Sequence, residues 1–339
     1  MKSFPLKRHA IPGFSTLLLI SALLCACHNR SADVDLADIN IKAVQFHRYE
    51  KALFTLDPEN LKQGLPAIAG EYKIFLGDQY LDQVNLMRLQ SFVSDTGMQA
   101  LYKAAARRFP DLADQSTALT KAFRYFKYYF PEKETPDVYT YISGLDVDNP
   151  VRYSDQGMVI GLDLFLGNTE PIYAKSGLPL YKIARMTGEQ IVPFCMAVIG
   201  RSLVTVDLQK QKMLDLMVAE GKVLYFQDLT LPATEDYVKI GYTSTQFDWC
   251  KTNEVQVWAF LVQNNLLFTT DSGVVGKLMT DGPFTSGFGK ESPGRIGAWV
   301  GWQIVRNYMQ RNAEVTIAAL MKETDSQKIL EQSRYKPRK

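Results

Sequence analysis

The 339-residue chain is 46% hydrophobic and 22% charged, a balance that can bury a substantial core and excludes a fibrous or disordered chain. Its formal net charge is only +2, and no dense lysine or arginine run follows the N-terminal segment, so a basic surface for nucleic acid is not expected. No histidine occurs after His47, which removes histidine-ligated zinc, Ser-His-Asp and Cys-His catalysis from the main body.

The chain opens with Lys2, Lys7 and Arg8, followed by the apolar run FSTLLLISALL (14–24). That run is too short to span a bilayer and reads as a secretion signal over residues 1–26. It closes on Leu24-Cys25-Ala26-Cys27, which resembles the bacterial lipobox: an aliphatic residue three positions before a cysteine and a small residue just before it. By that resemblance Cys27 becomes the first mature residue and carries the lipid, whose buried methylenes contribute about 0.8 kcal/mol each. Loss of the signal takes the formal charge from +2 to −1. Residues 27–38 are polar and small, a lipidated tether able to reach roughly 35 Å when extended. Two cysteines remain, Cys195 and Cys250. Either they pair as a disulfide in an oxidising compartment, or Cys195 packs as a small residue within its apolar run.

Beyond the tether, INIKAVQFHRYEKALF (39–54) alternates enough to predict a strand at the start of the domain. Asp57-Pro58-Glu59 then opens a helix, with Leu61, Leu65, Ile68, Tyr72 and Phe75 at helical spacing and Gly77 as its stop. A second helix is expected from Asp95 or Thr96 to Pro110. A third follows Asp111, with Leu112, Leu119, Phe123 and Phe126 on one face. The pattern changes at VYTYISG (138–144), a β-branched and aromatic strand, and a turn-rich connection leads to a second strand, VIGLDLFLG (159–167). Thr187 and Gln190 stand at capping-box spacing before a helix at 188–201, whose body is apolar nearly all round and reads as the central buried helix. The elements make one globular domain over 39–339, mainly helical in 39–135 and with a strand–helix core in 136–339. Its class is α+β, predominantly helical with a small sheet.

Two later stretches carry the candidate chemistry. If KMLDLMVAEGKVLYF (212–226) is helical, Glu220 shares a face with Leu216, Met217 and Leu224, and a buried carboxylate requires a partner or a proton. Glu220 reads either as an ion or substrate ligand or as a structural carboxylate at a helix end. A further helix begins near Pro293-Gly294, where Arg295 is a candidate ion-pair partner for Glu220. Gly297 and Gly301, one turn apart, would let another backbone come close, with Trp299, Val300, Ile304 and Tyr308 supplying bulk. No phosphate-binding loop or dinucleotide fingerprint is present, and no cofactor is expected.

LFLG (164–167), MTGEQIVPF (186–194), MVAEGK (217–222), PGRIGAWVGWQIVRNYM (293–309) and the closing SRYKP (333–337) resemble, together with the lipobox, the gliding-motility lipoprotein GldB family of Bacteroidota over nearly the whole mature chain. The resemblance implies an outer-membrane lipoprotein facing the periplasm, held to the membrane by its N-terminal lipid and partnered by proteins of the gliding machinery and the type IX secretion system. The residues after Cys27, HNRSAD, lack a tight acidic cluster resembling a surface-export signal, which favours the inner leaflet. The family in turn resembles zincin-type metallopeptidases. Glu220-Gly221 fits their second metal-binding element, a degenerate one here, because the helix at 188–201 has no histidine to match the first. The resemblance thus implies a zincin-like, non-catalytic assembly or stabilising component. Two alternatives stay open: a hydrolase holding a hard metal through carboxylates such as Glu189, Glu220 and Asp228, or a periplasmic lipoprotein that binds a peptide or glycan.

Overall fold

The computed structural model describes residues 34–207 and 211–337. The signal at 1–26 and the lipidation site Cys27 lie outside the described residues. Four short strands form one mixed sheet: β1 (Phe46–Arg48), β2 (Val138–Tyr141), β3 (Val151–Ser154) and β4 (Gly157–Gly161), in the order β1-β2-β4-β3. β1 pairs with β2 and β2 with β4 in parallel, Phe46 opposite Val138 and Val138 opposite Met158, while β3 returns antiparallel to β4 and forms the edge.

Nine helices of eight residues or more pack around this sheet among the described residues. They are α1 (Gln83–Ser94), α2 (Thr96–Arg108), α3 (Ala113–Tyr129), α4 (Ile191–Leu203), α5 (Met213–Thr230), α6 (Ser244–Gln263), α7 (Ser272–Met279), α8 (Ile296–Arg311) and α9 (Ser326–Ser333). None is long and apolar enough to cross a membrane. The architecture is α+β and predominantly helical. A large core joins α2 and α3 to the sheet and the C-terminal helices, with Trp299, Trp302, Phe123, Phe126, Phe165 and Phe226 among its fully buried side chains. A smaller apolar cluster under residues 49–93 is centred on Leu53, Leu65 and Val93.

Several elements depart from their sequence patterns, each for a local reason. The strand expected over 39–54 is only β1, followed at once by a short helix, Tyr49–Phe54. Its buried Glu50 accepts from Arg48 Nε at 2.5 Å and from Thr140 Oγ1 at 2.7 Å, which turns the chain out of the sheet. The helix expected over 57–77 breaks into a 3-10 turn, Pro58–Asn60, and three short pieces, Leu61–Gly64, Pro66–Ala69 and Lys73–Leu76. Pro66 cannot donate to the helical ladder and glycines weaken it at 64 and 70. Even so, Leu61, Leu65, Tyr72 and Leu76 are buried. The α1 helix was not legible, and it leaves Val84 and Met87 largely exposed, without a clean apolar stripe.

The strand expected over 159–167 ends at Gly161 and continues as a 3-10 turn, Leu162–Leu164. The buried Asp163 carboxylate accepts from Ser143 N at 2.7 Å, Ser143 Oγ at 2.9 Å and Leu145 N at 2.8 Å, so this segment bonds to a loop instead of a strand. Thr187 forms no side-chain cap: Gln190 N bonds Thr187 O at 3.0 Å, and the Gln190 amide instead reaches Val238 O at 3.2 Å.

The central helix is α5 rather than α4. Every residue from 221 to 230 is buried, whereas α4 exposes Arg201 and Ser202 at its end. α5 and α8 cross with backbones in direct contact. A Cβ on Gly301 would lie 1.8 Å from Met217 O, and one on Gly221 would lie 2.3 Å from Gly301 O. No side chain fits at either position, so the glycine of MVAEGK and the second glycine of GAWVG fix the crossing. That crossing sets Glu220 beside the start of α8.

Candidate functional site

A cavity of about 530 Å3 opens between α4, the start of α8, the loop at 147–151 and the segment at 181–186. One wall is apolar, built from Val151, Leu164, Phe165, Met186, Phe194 and Val198. The Phe165 and Phe194 rings meet edge-on, with centroids 5.8 Å apart. The LFLG segment is held there by Tyr173, which donates to Asp163 O at 2.8 Å and accepts from Leu166 N at 2.9 Å.

The opposite side is ionic. Lys182 Nζ lies 2.6 Å from Asp148 Oδ1, and Arg185 pairs with Asp281. Arg201 and Arg295 line the cavity without a carboxylate each: both turn to Glu220, which lies in an adjoining annex of about 40 Å3. Glu220 receives Arg201 Nε at 3.4 Å and Nη2 at 3.3 Å, and Arg295 Nη2 stands 3.6 Å away. These distances exceed the ~2.8 Å of a tight charge-assisted bond, so neither guanidinium is saturated. Burial pushes the Glu220 carboxyl up, but Arg201 and then Arg295 outweigh it and the net shift is down. Glu220 is therefore an ionised anion between two cations, and its side chain remains 28% exposed. Lys182, Arg185, Arg201 and Arg295 meet Asp148, Asp281 and Glu220 in the cleft, an excess of one positive charge; Lys239, which also lines the annex, is taken up by Asp228 and Asp236.

Arg295 is placed by an unusual backbone. It caps the N-terminus of α8 at φ +55°, the left-handed region that costs a non-glycine residue roughly 1–2 kcal/mol. The turn is clamped by Tyr242, whose hydroxyl donates to Gly294 O at 2.7 Å and to Arg295 O at 3.2 Å. A Cβ on Gly294 would lie 2.5 Å from Gly282 O, so this turn packs directly on the chain beside Asp281. The same annex is lined by Gln227, whose Oε1 is buried and has no hydrogen-bond partner among the described residues.

The other carboxylates singled out from the sequence sit elsewhere. Glu189 is exposed in the turn before α4. Asp228 is buried in a separate network: it takes Arg306 Nε and Nη2 at 2.7 Å each, Trp302 Nε1 at 2.9 Å and Lys239 Nζ at 3.1 Å. Arg306 also pairs with Asp236 at 2.8 Å and lies 3.8 Å over the Trp302 ring. Among the described residues no three His, Cys, Asp or Glu side chains come together as a metal site. Cys195 and Cys250 are both buried and free, so the pairing left open by the sequence is not made here.

With the cleft in place, the comparisons with known proteins bear on it. The sequence profile of the family described as gliding motility protein GldB matches residues 29–337. The chain belongs to the GldB family. No curated protein and no solved structure matched it. The family match spans every residue of the cleft, from Val147 to Arg295. Of the cleft cations only Arg295 stood out in the sequence. Arg201 had a faint signal, as the lone cation closing an apolar helix. Arg185 and Asp281 are 96 residues apart, and nothing local announces their pairing.

Proposed function

We propose that this GldB-family chain is a non-catalytic lipoprotein, anchored through Cys27 to the outer membrane and facing the periplasm. It serves there as an assembly or stabilising component of the gliding and type IX secretion apparatus. The observation that carries the reading is the family match over 29–337 combined with the state of the cleft carboxylates. Glu220, Asp281 and Asp148 are each engaged by arginine or lysine, leaving no carboxylate poised beside a nucleophile or a vacant ligand position. A degenerate zincin-like scaffold is part of the proposal. It is supported by Glu220-Gly221 lying on the helix packed against α4, where the family resemblance puts the second metal-binding element.

The hydrolase alternative finds little support, because Glu189, Glu220 and Asp228 occupy three different environments. The test is genetic and biochemical together. Deletion of the gene is expected to impair surface motility or type IX-dependent secretion, and wild type but not Cys27→Ser should restore it and fractionate with the outer membrane. A peptidase or glycosidase activity that needs added Mg or Mn and disappears in Glu220→Gln would contradict the non-catalytic reading.

A further inference from the structure

We infer that the cleft is a binding site for the C-terminal end of an extended peptide, its terminal carboxylate received by Arg201 and Arg295 and its last side chains laid on Phe194, Val198 and Tyr181. This goes beyond the role in the apparatus and does not depend on it. Three observations converge. First, the cleft holds one more cation than anion, and the surplus sits at Arg201 and Arg295. Their shared carboxylate is held at 3.3–3.6 Å, and Arg201 keeps 47% of its side chain exposed. A planar guanidinium presents paired donors that match a second carboxylate.

Second, the cavity of about 530 Å3 falls in the size range of small-ligand and short-peptide sites. Tyr181 lines it, and the adjoining Leu180 is 82% exposed. Third, the wall at 147–151 runs into β3, the edge strand of the sheet. An edge strand offers main-chain groups to a chain extended alongside it, which favours a peptide over a compact anion. Gln227 Oε1, buried in the annex without a hydrogen-bond partner among the described residues, is an acceptor and suits a peptide N–H, not the terminal carboxylate.

The test uses the full-length protein in detergent and isothermal titration with short apolar peptides ending in Phe-Phe, each as the free acid and as the C-terminal amide. The free acid is expected to bind about tenfold or more tightly than the amide, about 1.4 kcal/mol. Arg201→Lys and Arg295→Lys, which keep the charge and lose the fork, should erase most of that preference. Glu220→Gln removes the internal competitor and should tighten binding of the acid several-fold, an effect that a purely structural Glu220 would not produce. Equal affinity for acid and amide, or no binding of either at millimolar peptide by protein that melts cooperatively, would overturn the assignment.

Discussion

Glu220 shows how far a single residue can be read. Its place among Leu216, Met217 and Leu224 demanded a partner on cost alone, because an unpaired buried carboxylate is expensive. Arg295 was an available cation, and the structure sets it 3.6 Å away. What no local pattern contains is the second arginine, or that both donors stay underused. The pH consequence follows from the sign of the shift. A lowered folded-state value means that Glu220 contributes stability fully present above the ordinary glutamate value of 4.5 and lost as pH falls through the lowered one. Glu220→Gln is therefore expected to be less stable than wild type at neutral pH, with the gap closing in acid, as thermal melts across pH would show. A gap that stays constant would mean the carboxylate's charge is not what the arginines stabilise. The Asp228 network makes a stronger demand, since its side chain is 6% exposed and its carboxylate takes four donor contacts. Asp228→Ala should cost about 3–5 kcal/mol by denaturant unfolding. A loss under about 1 kcal/mol would show that water replaces the carboxylate.

At the scale of elements, legibility followed the chemistry of each segment. The helices with a cap and a continuous apolar face were readable. Asp95 accepts from Met98 N at 2.9 Å to open α2, and Leu119, Phe123 and Phe126 of α3 are buried on one side. Segments governed by a distant partner were not. Asp163 ends β4 through Ser143 and Leu145, and Gln190 abandons its capping geometry for Val238. Of the pair Gly297 and Gly301, Gly301 makes the close backbone approach that the spacing suggested, whereas Gly297 meets the Met279 and Met213 side chains first; that Gly221 is the counterpart showed only once α5 and α8 were seen to cross. Gly301→Ala should cost roughly 3 kcal/mol or more, because the added methyl meets backbone on a packed helix rather than a movable side chain. Gly276→Ala on α7 is the matched control: its nearest neighbour would be 3.9 Å away, so the helix should gain up to about 1 kcal/mol. Chemical denaturation of both variants decides the matter, and equal effects would mean that the α5–α8 contact is not backbone-limited.

For the molecule as a whole, one large core ties the sheet to α5 and α8, and a smaller cluster at 49–93 flanks it. Trp299 belongs to the large core at 2% exposure, and its indole N–H has no hydrogen-bond partner among the described residues. Trp299→Ala should then cost about 3–5 kcal/mol and Trp299→Phe much less, read from melting temperatures. If Trp299→Ala leaves the melting temperature unchanged, the core is wrongly placed. The class of the fold and its helical character were recoverable from periodicity and turn chemistry. The cleft was not, since it gathers side chains from 147 to 295 that only the finished fold brings together. Membership of the GldB family connects this fold to motility, and the anchored role in an envelope apparatus is what we propose for it. The most direct test is affinity capture of a tagged copy from crosslinked, detergent-solubilised envelopes, with a Cys27→Ser copy in parallel. Enrichment of gliding or type IX secretion components with the anchored form alone is the predicted result. Equal recovery with both forms, or no enrichment over an untagged control, would contradict it.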